Sequence, residues 1–348
     1  MVRVSEKAES TPSPAKPRGR RGRFLRVLAA CLVLAAVAGY LVTQHLTSGS
    51  GPARCTVTSA GGSGDGATYR MHPEQAANAA TIEAVASSRG LPERAVTIAL
   101  ATAMQESGLR NIDHGDRDSV GLFQQRPSQG WGSVPQIMDP VYAAGKFYEH
   151  LVEVPGYSRL PLTVAAQKVQ RSGFPQAYAK HEGKASLLTG ALTGRHAASL
   201  TCTMGPGGPD ERPGDANRVR EKLAREFGPE VLGEESVAAG TGTGGGRSAP
   251  GSTAADGAQS DGAQSDGARA GDARREVVLP ASASERGWEL AHWAVAQAGE
   301  LRIAEIAYDG RAWSAERAEE GWRPVEGGAG APDARAAAVT LRVSPGTT

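Results

Sequence analysis

The strongest constraint on this sequence is a low-complexity stretch near its middle. Residues 239–276 are dominated by Gly, Ala, Ser, Asp and Gln, and the sequence Asp-Gly-Ala-Gln-Ser begins at Asp256 and again at Asp261. A chain of this composition has too few large apolar side chains to bury, so we expect it to be disordered. It therefore separates the folded regions on either side. Gly and Pro number 45 and 21 among 348 residues, which indicates further irregular segments.

Composition also divides the rest of the chain and excludes several classes of protein. A net charge of +1 gives no bulk attraction to nucleic acid, and three cysteines without a Cys-x-x-Cys pair exclude zinc ribbons and iron–sulfur proteins. The predicted segments are a basic tail (1–23), an apolar segment (24–46), a linker (47–68), a helical domain (69–203), a low-complexity linker with one charged helix (204–277) and a small α+β domain (278–345).

The apolar segment 24–46 follows a cluster of Arg and Lys, and residues 27–43 carry no charge. This length is the minimum for a transmembrane helix, and the preceding positive charges would keep the N-terminus in the cytoplasm. The alternative is a signal peptide, cleaved near Ala36-Val37-Ala38. Both interpretations export residues 47–348. They predict a single-pass membrane protein with its C-terminal part outside, or a secreted protein.

Two cysteines bracket the helical domain. Export places Cys55 and Cys202 in an oxidising compartment, so we predict a disulfide between them; two free thiols are the alternative. The bridge would close a loop of about 146 residues and stabilise the fold by roughly 4–5 kcal/mol.

The helical domain contains one carboxylate in an unusual position. Val96, Ala99, Leu100, Ala103 and Met104 follow the spacing of a buried helix face. Glu106 lies three residues after Ala103 and continues that face. Desolvation favours the protonated form of a carboxyl, which is the form that a general acid needs. Glu106 is therefore a candidate catalytic acid; the alternative is a helix-end carboxylate paired with an Arg.

Three short motifs in this domain resemble those of lysozyme-like lytic transglycosylases. They are Glu106-Ser107-Gly108-Leu109 at a helix end, the turn Gly121-Leu122-Phe123-Gln124, and Ala144-Gly145-Lys146-Phe147-Tyr148 on a later helix. The resemblance covers about 130 residues. It implies a helical lysozyme-like fold and cleavage of peptidoglycan glycan strands between N-acetylmuramic acid and N-acetylglucosamine.

The resemblance also implies roles for individual residues. Glu106 would protonate the glycosidic oxygen and then act as the base for attack by the muramyl 6-hydroxyl. Ser107 would orient Glu106 or the sugar, and Gln124 would bind substrate, with Tyr148 in the third motif. The family's Ala-Tyr-Asn-Ala-Gly motif has no match at residues 166–170. Candidate replacements for its polar contacts are Gln167, Gln170 and, for the hydroxyl, Tyr178.

A second carboxylate in the site would change the predicted reaction. Asp113, Asp116 and Asp118 follow Glu106, and an inverting or retaining hydrolase needs two carboxyls at a defined separation. If one aspartate supplied the second carboxyl, the enzyme would be a muramidase. The favoured alternative is a loop held by Asx turns.

The C-terminal segment has its own pattern. Residues 288–298 form an apolar helix, residues 301–308 alternate as a strand, Asp309-Gly310 is a hairpin turn, and residues 338–343 form a last strand. It resembles a small domain of secreted cell-wall proteins that ends in a His-containing strand. Thr340 and Arg342 occupy the His positions here, and His292 alone cannot replace them, so we predict no zinc and a binding role.

Together these observations predict a mainly α fold: a lysozyme-like helical domain preceded by one transmembrane helix and followed by a disordered linker and a small α+β domain. The predicted function is exported cleavage of peptidoglycan, without metal or cofactor and without nucleic acid. The predicted partners are glycan strands and, through residues 24–46, the cytoplasmic membrane. The alternative function is a non-catalytic wall-binding or envelope scaffold protein with the same cleft.

Overall fold

The computed structural model describes residues 28–40, 51–59, 67–205, 212–233, 274–325 and 338–346. These residues contain nine helices and eight strands, and the strands form two antiparallel sheets. The chain divides into two units, Met1–Gly51 and Pro52–Thr348. The predicted basic tail (1–23) and nearly all of the predicted low-complexity stretch (239–276) lie outside the described residues.

The predicted transmembrane helix is wrong. Within the apolar segment 24–46 the structure describes one helix, α1 (28–40), whose residues are all exposed. Among the described residues, none of the helices combines the length and the apolar character that crossing a membrane requires.

The second unit begins with a three-stranded sheet that the sequence did not predict. Its strands are β1 (Arg54–Thr58), β2 (Thr68–Met71) and β3 (Leu200–Thr203), in the order β2-β1-β3. Cys55 of β1 lies directly opposite Cys202 of β3, and the two form the predicted disulfide. The bridge thus joins the two ends of the helical region through neighbouring strands. The segment 47–68, predicted as a linker, contributes β1 and the start of β2.

Seven helices form the body of this region around a buried α3. Ten consecutive residues of α3, from Ala95 to Met104, are buried, so this helix forms the core and its C-terminal end carries Glu106 towards the surface. The helices are α2 (Pro73–Ser88), α3 (Glu93–Glu106), α4 (Val134–Ile137), α5 (Pro140–Val152), α6 (Leu162–Gln170), α7 (Glu182–Leu192) and α8 (Ala216–Phe227).

Local sequence explains where several of these helices begin. At α2, the imidazole of His72 accepts from Glu74 N while Gln75 accepts from His72 N, which is a capping box followed by Pro73 at the first helical position. At α5, the carboxylate of Asp139 accepts a hydrogen bond from Val141 N.

The C-terminal elements form a five-stranded sheet with one long helix. The elements are β4 (Glu276–Pro280), α9 (Ser284–Leu301), β5 (Ile303–Tyr308), β6 (Arg311–Ser314), β7 (Arg323–Pro324) and β8 (Ala338–Val343), and the sheet order is β4-β8-β5-β6-β7. The predicted hairpin turn is present: Asp309 and Gly310 both have positive φ, as a type I′ turn requires.

Helix α9 is buried on more than one side, because it packs both on its own sheet and on α2, α7 and β3. The approach to α7 is close: a Cβ on Gly194, just after α7, would overlap Glu285 O of α9. His292 of α9 is fully buried; its Nδ1 lies 2.6 Å from Ala191 O, and its Nε2 accepts a hydrogen bond from Ser199 N. The C-terminal elements therefore share one core with the helical region.

The predicted fold class is corrected accordingly. A mainly helical lysozyme-like domain with a transmembrane helix does not describe this chain, which has two antiparallel sheets and no described membrane-spanning helix. The physical reason is long-range pairing: β1 and β3 are strands of 5 and 4 residues that become a sheet only when the ends of the region meet. Such short segments carry almost no pattern of their own.

Candidate active site

Glu106 is the last residue of α3, and its surroundings are set by the way that helix ends. Ser107 is the C-cap, and Gly108 follows with φ +65°, so the chain turns away from the helix axis. Glu106 is half-buried. One part of its side chain therefore lies against the core and another part is accessible from the surface. A general acid needs such access, because it must reach the group to which it transfers a proton.

Tyr178 contacts Glu106 directly. The phenol hydroxyl donates a hydrogen bond of 2.6 Å to Glu106 Oε1, and Tyr178 itself is fully buried. Tyr178 lies in a 3₁₀ segment, Pro175–His181, that packs against both α3 and α6. Burial, together with the hydrogen bond to Glu106 and its charge, raises the pKa of Tyr178. The phenol therefore remains a proton donor and fixes one oxygen of the carboxyl.

The loop before this 3₁₀ segment supports Tyr178. The side chain of Ser172 lies near Tyr178 and partly offsets the rise in the pKa of the phenol, and its hydroxyl accepts a hydrogen bond from Phe174 N. Gln167 Nε2 donates to Ser172 O at 2.7 Å. The predicted substrate ligand Gln167 therefore holds the supporting loop in place. Ser172 was not among the predicted site residues, since nothing in its sequence context marks it.

The turn Gly121–Gln124 is tied to both neighbouring helices. Ser107 Oγ donates to Leu122 O at 2.8 Å, and Gln170 Nε2 donates to Phe123 O at 2.8 Å. The two predicted substrate ligands Ser107 and Gln170 thus bond to the main chain of the turn. Together they fix the turn between the end of α3 and the end of α6. Among the described residues, the Ser107 hydroxyl bonds to main-chain carbonyls and makes no hydrogen bond to the Glu106 carboxyl.

Gln124 faces the loop that follows Glu106. Its Nε2 lies 3.2 Å from His114 O, and its backbone has φ +49°. A Cβ on Gly115 would overlap the Gln124 amide, so only glycine permits this approach. The predicted substrate ligand Gln124 is therefore in contact with the loop 113–119.

Tyr148 is placed in the core. It is fully buried, and its hydroxyl donates to Ile82 O at 3.1 Å. Burial and the nearby Glu83 raise its pKa. The third motif thus packs α5 against α2 and does not bring Tyr148 to Glu106.

The aspartates of the loop after Glu106 have other partners. Asp118 accepts from Arg126 Nε at 2.7 Å and from Ser128 N at 2.8 Å, and these bonds hold its pKa well below the usual range. Asp113 contacts His114, and the side chains of Asp113 and Asp116 are largely exposed. The recorded contacts therefore place none of the three beside Glu106.

Several residues of the loops around this site have a strained backbone conformation. Four non-glycine residues of its loops have positive φ: Leu109 after α3, Arg117 in the aspartate loop, Gln124 in the turn and Arg171 at the end of α6. Such conformations cost energy, persist where the surrounding structure enforces them, and are frequent at functional sites.

The C-terminal residues that were compared with zinc ligands have other partners. His292 bonds to main-chain atoms on both sides, and Arg342 forms ion pairs with Glu276 and Glu305. In the part of the chain that the structure describes, no group of three His, Cys, Asp or Glu side chains could hold a metal ion.

Part of the chain matches a family model. Residues 237–336 match the family model described as VldE, C-terminal domain. The match spans fewer than a third of the residues and includes neither Glu106 nor Tyr178. No curated protein matches the chain at a significant level.

Proposed function

We propose that this protein cleaves the glycan strands of peptidoglycan with Glu106 as general acid and base. The observation that carries the proposal is the hydrogen bond that the buried phenol of Tyr178 donates to Glu106 at the half-buried end of helix α3. Tyr178 fixes Oε1 and leaves Oε2 to carry the proton. The resemblance of the first two motifs to lytic transglycosylases supplies the substrate class.

The proposed reaction uses one carboxyl. Glu106 gives its proton to the glycosidic oxygen, the bond from that oxygen to muramyl C1 breaks, and the electron pair stays on the leaving oxygen. The Glu106 carboxylate then takes the proton of the muramyl 6-hydroxyl, whose oxygen bonds to C1 and closes a 1,6-anhydro ring. The contacts of the loop aspartates favour this route over a two-carboxylate hydrolysis. The disulfide supports action outside the cytoplasm.

Digestion of purified peptidoglycan tests the proposal. The full-length protein and Glu106→Gln are incubated with peptidoglycan, and the products are identified by mass spectrometry. We expect 1,6-anhydromuramyl products from the native protein and none from the variant. Reducing-end products that depend on Glu106 would show a muramidase instead, and an absence of products from the native protein would refute cleavage.

A second candidate function is binding of the wall without cleavage. It is favoured because three predicted substrate ligands bond to main-chain atoms of the site's own loops, so they do not position the substrate for cleavage as the resemblance implies. These are Gln124, Gln167 and Gln170. In that case the native protein would sediment with peptidoglycan and release no soluble fragments.

A further inference from the structure

The charges around Glu106 are distributed unevenly. The stretch 162–184, which contains α6 and the Tyr178 segment, has four Lys or Arg and a single acidic residue, Glu182. That acid is already engaged, because its Oε1 lies 2.9 Å from Arg94 Nη1. The chain as a whole has a net charge of +1, so this excess is local.

Five exposed cations lie on the segments that carry the site residues or directly follow them, and we name them the cationic rim: Arg110, Lys168, Arg171, Lys180 and Lys184. Among the described residues no ion pair to an acidic side chain is recorded for any of them, whereas Arg89, Arg94 and Arg126 on the same unit are all paired. Unpaired cations that surround one site create a positive potential that attracts an anionic ligand.

Part of the rim is held in position by packing. Lys184 Nζ lies 5.4 Å from the ring centroid of Tyr69, and the charge of Arg110 acts on the same phenol. Next to them, His181 Nε2 lies 3.3 Å from the side chain of Gln105, the neighbour of Glu106. Burial lowers the pKa of His181, and the like charges of Lys180 and Lys184 lower it further. The positive potential thus extends to the end of α3.

We propose that the cationic rim binds carboxylate groups of the glycan strand, so that the site selects strands that carry free carboxylates beside the cleaved bond. This inference rests on the proposed function, which provides the glycan as substrate. The rim cations come from the loop after α3, from α6, from the 3₁₀ segment and from α7. Such a spread suits single charges repeated along a polymer, whereas one phosphate would require donors that converge on a point.

Binding to the full-length Glu106→Gln protein tests the inference without any need for turnover. The ligands are peptide-free muramyl glycan strands, which carry lactyl carboxylates, strands with intact stem peptides, and neutral N-acetylglucosamine oligomers of equal length. We expect at least one of the carboxylated ligands to bind roughly tenfold more tightly than the neutral oligomer at low salt, with the difference shrinking as salt rises. Comparison of the two carboxylated ligands then shows whether the rim binds the lactyl carboxylates or the carboxylates of the stem peptides.

Two charge variants locate the effect. The double variant Lys180→Gln with Lys184→Gln, in the same Glu106→Gln background, should lose most of the preference for carboxylated over neutral glycan. The control, Arg311→Gln with Arg317→Gln, removes two exposed charges from the C-terminal elements and should leave it unchanged. Equal binding of neutral and carboxylated ligands, an unchanged preference in the rim variant, or tighter binding of poly(glycerol phosphate) than of glycan would each overturn the inference. A preference that holds while the native protein cleaves nothing would refute only the proposed cleavage.

Discussion

The hydroxyl of Tyr178 lies 2.6 Å from Oε1 of Glu106, although the two residues are 72 positions apart in the chain. The contact joins the end of the buried helix α3 to a 3₁₀ segment whose preceding loop is held by a hydrogen bond from Gln167 to Ser172 O. The direction of the Glu106 carboxyl is therefore set by an element from a distant part of the sequence. Tyr178 acts as a positioning residue in the proposed reaction.

Replacement of Tyr178 by Phe should slow cleavage and leave the fold intact. A hydrogen bond to a charged group contributes about 1.5–3 kcal/mol, so we expect kcat to fall roughly 10- to 100-fold with little change in KM. Steady-state digestion of soluble glycan strands measures both constants. Tyr157→Phe, for which no hydroxyl hydrogen bond is recorded, is the control. A lower melting temperature, with a fall in kcat and a rise in KM, would instead show a structural role.

Reduction of the disulfide should destabilise the second unit. Cys55 and Cys202 are separated by 147 positions, and a loop of that size corresponds to about 5 kcal/mol in the chain-entropy treatment. Denaturant unfolding of Cys55→Ser with Cys202→Ser should show a loss of about that size. Cys31, the free cysteine of the described residues, provides the control: Cys31→Ser should unfold like the native protein. Identical unfolding of all three would contradict the prediction.

Stability should fall in mild acid because of His292. Burial lowers the pKa of His292 to about 4, against 6.5 for a free imidazole. Between these values the unfolded chain binds a proton that the folded protein excludes, so the stabilisation present above pH 6.5 is lost as the pH falls towards 4, by about 3 kcal/mol in all. Urea unfolding between pH 4.5 and 7 measures this slope. His292→Gln should flatten it, and equal slopes in both proteins would count against the assignment.

Glu83 should produce the opposite trend. It is buried between α2 and α9, and burial, followed by the charge and hydrogen bond of Glu289, raises its pKa. The folded protein keeps a proton on Glu83 that the unfolded chain loses near pH 4.5. The contribution of Glu83 to the free energy of unfolding is therefore full below that pH and is lost as the pH rises through the raised pKa. Glu83→Gln, which mimics the protonated form, should therefore weaken the loss of stability between pH 5 and 8. Exposed Glu300→Gln is the control, and an unchanged slope in Glu83→Gln would contradict the account.

Local signals in the sequence predicted several elements well. The periodicity of α3, the later helix that carries the third motif (α5) and the Asp309-Gly310 hairpin all depend on residues close together in the chain, and the structure contains each of them. The β1–β3 sheet and the packing of α9 on α2 depend on residues far apart. No short window of sequence contains that information: β1 was predicted as linker, and β3 as part of the helical domain.

The same distinction applies to the candidate site. Spacing placed Glu106 at the end of a buried face, and the structure has it half-buried there. Tyr148 was predicted as a substrate ligand from the resemblance of the third motif, but it packs in the core, because a short motif does not determine which face of its helix meets a cleft. Ser172 and the unpaired cations of the rim emerge only from contacts and from the absence of recorded acidic partners in the described residues.

The most direct test of the central claim compares two Glu→Gln variants of helix α3 on the same batch of peptidoglycan. Glu93, at the start of α3, is paired with Arg195, whereas Glu106 ends the helix beside Tyr178. The account predicts that Glu106→Gln still sediments with peptidoglycan but releases no 1,6-anhydromuramyl fragments, while Glu93→Gln releases them at close to the native rate. Release of these fragments by Glu106→Gln at the native rate would contradict the account.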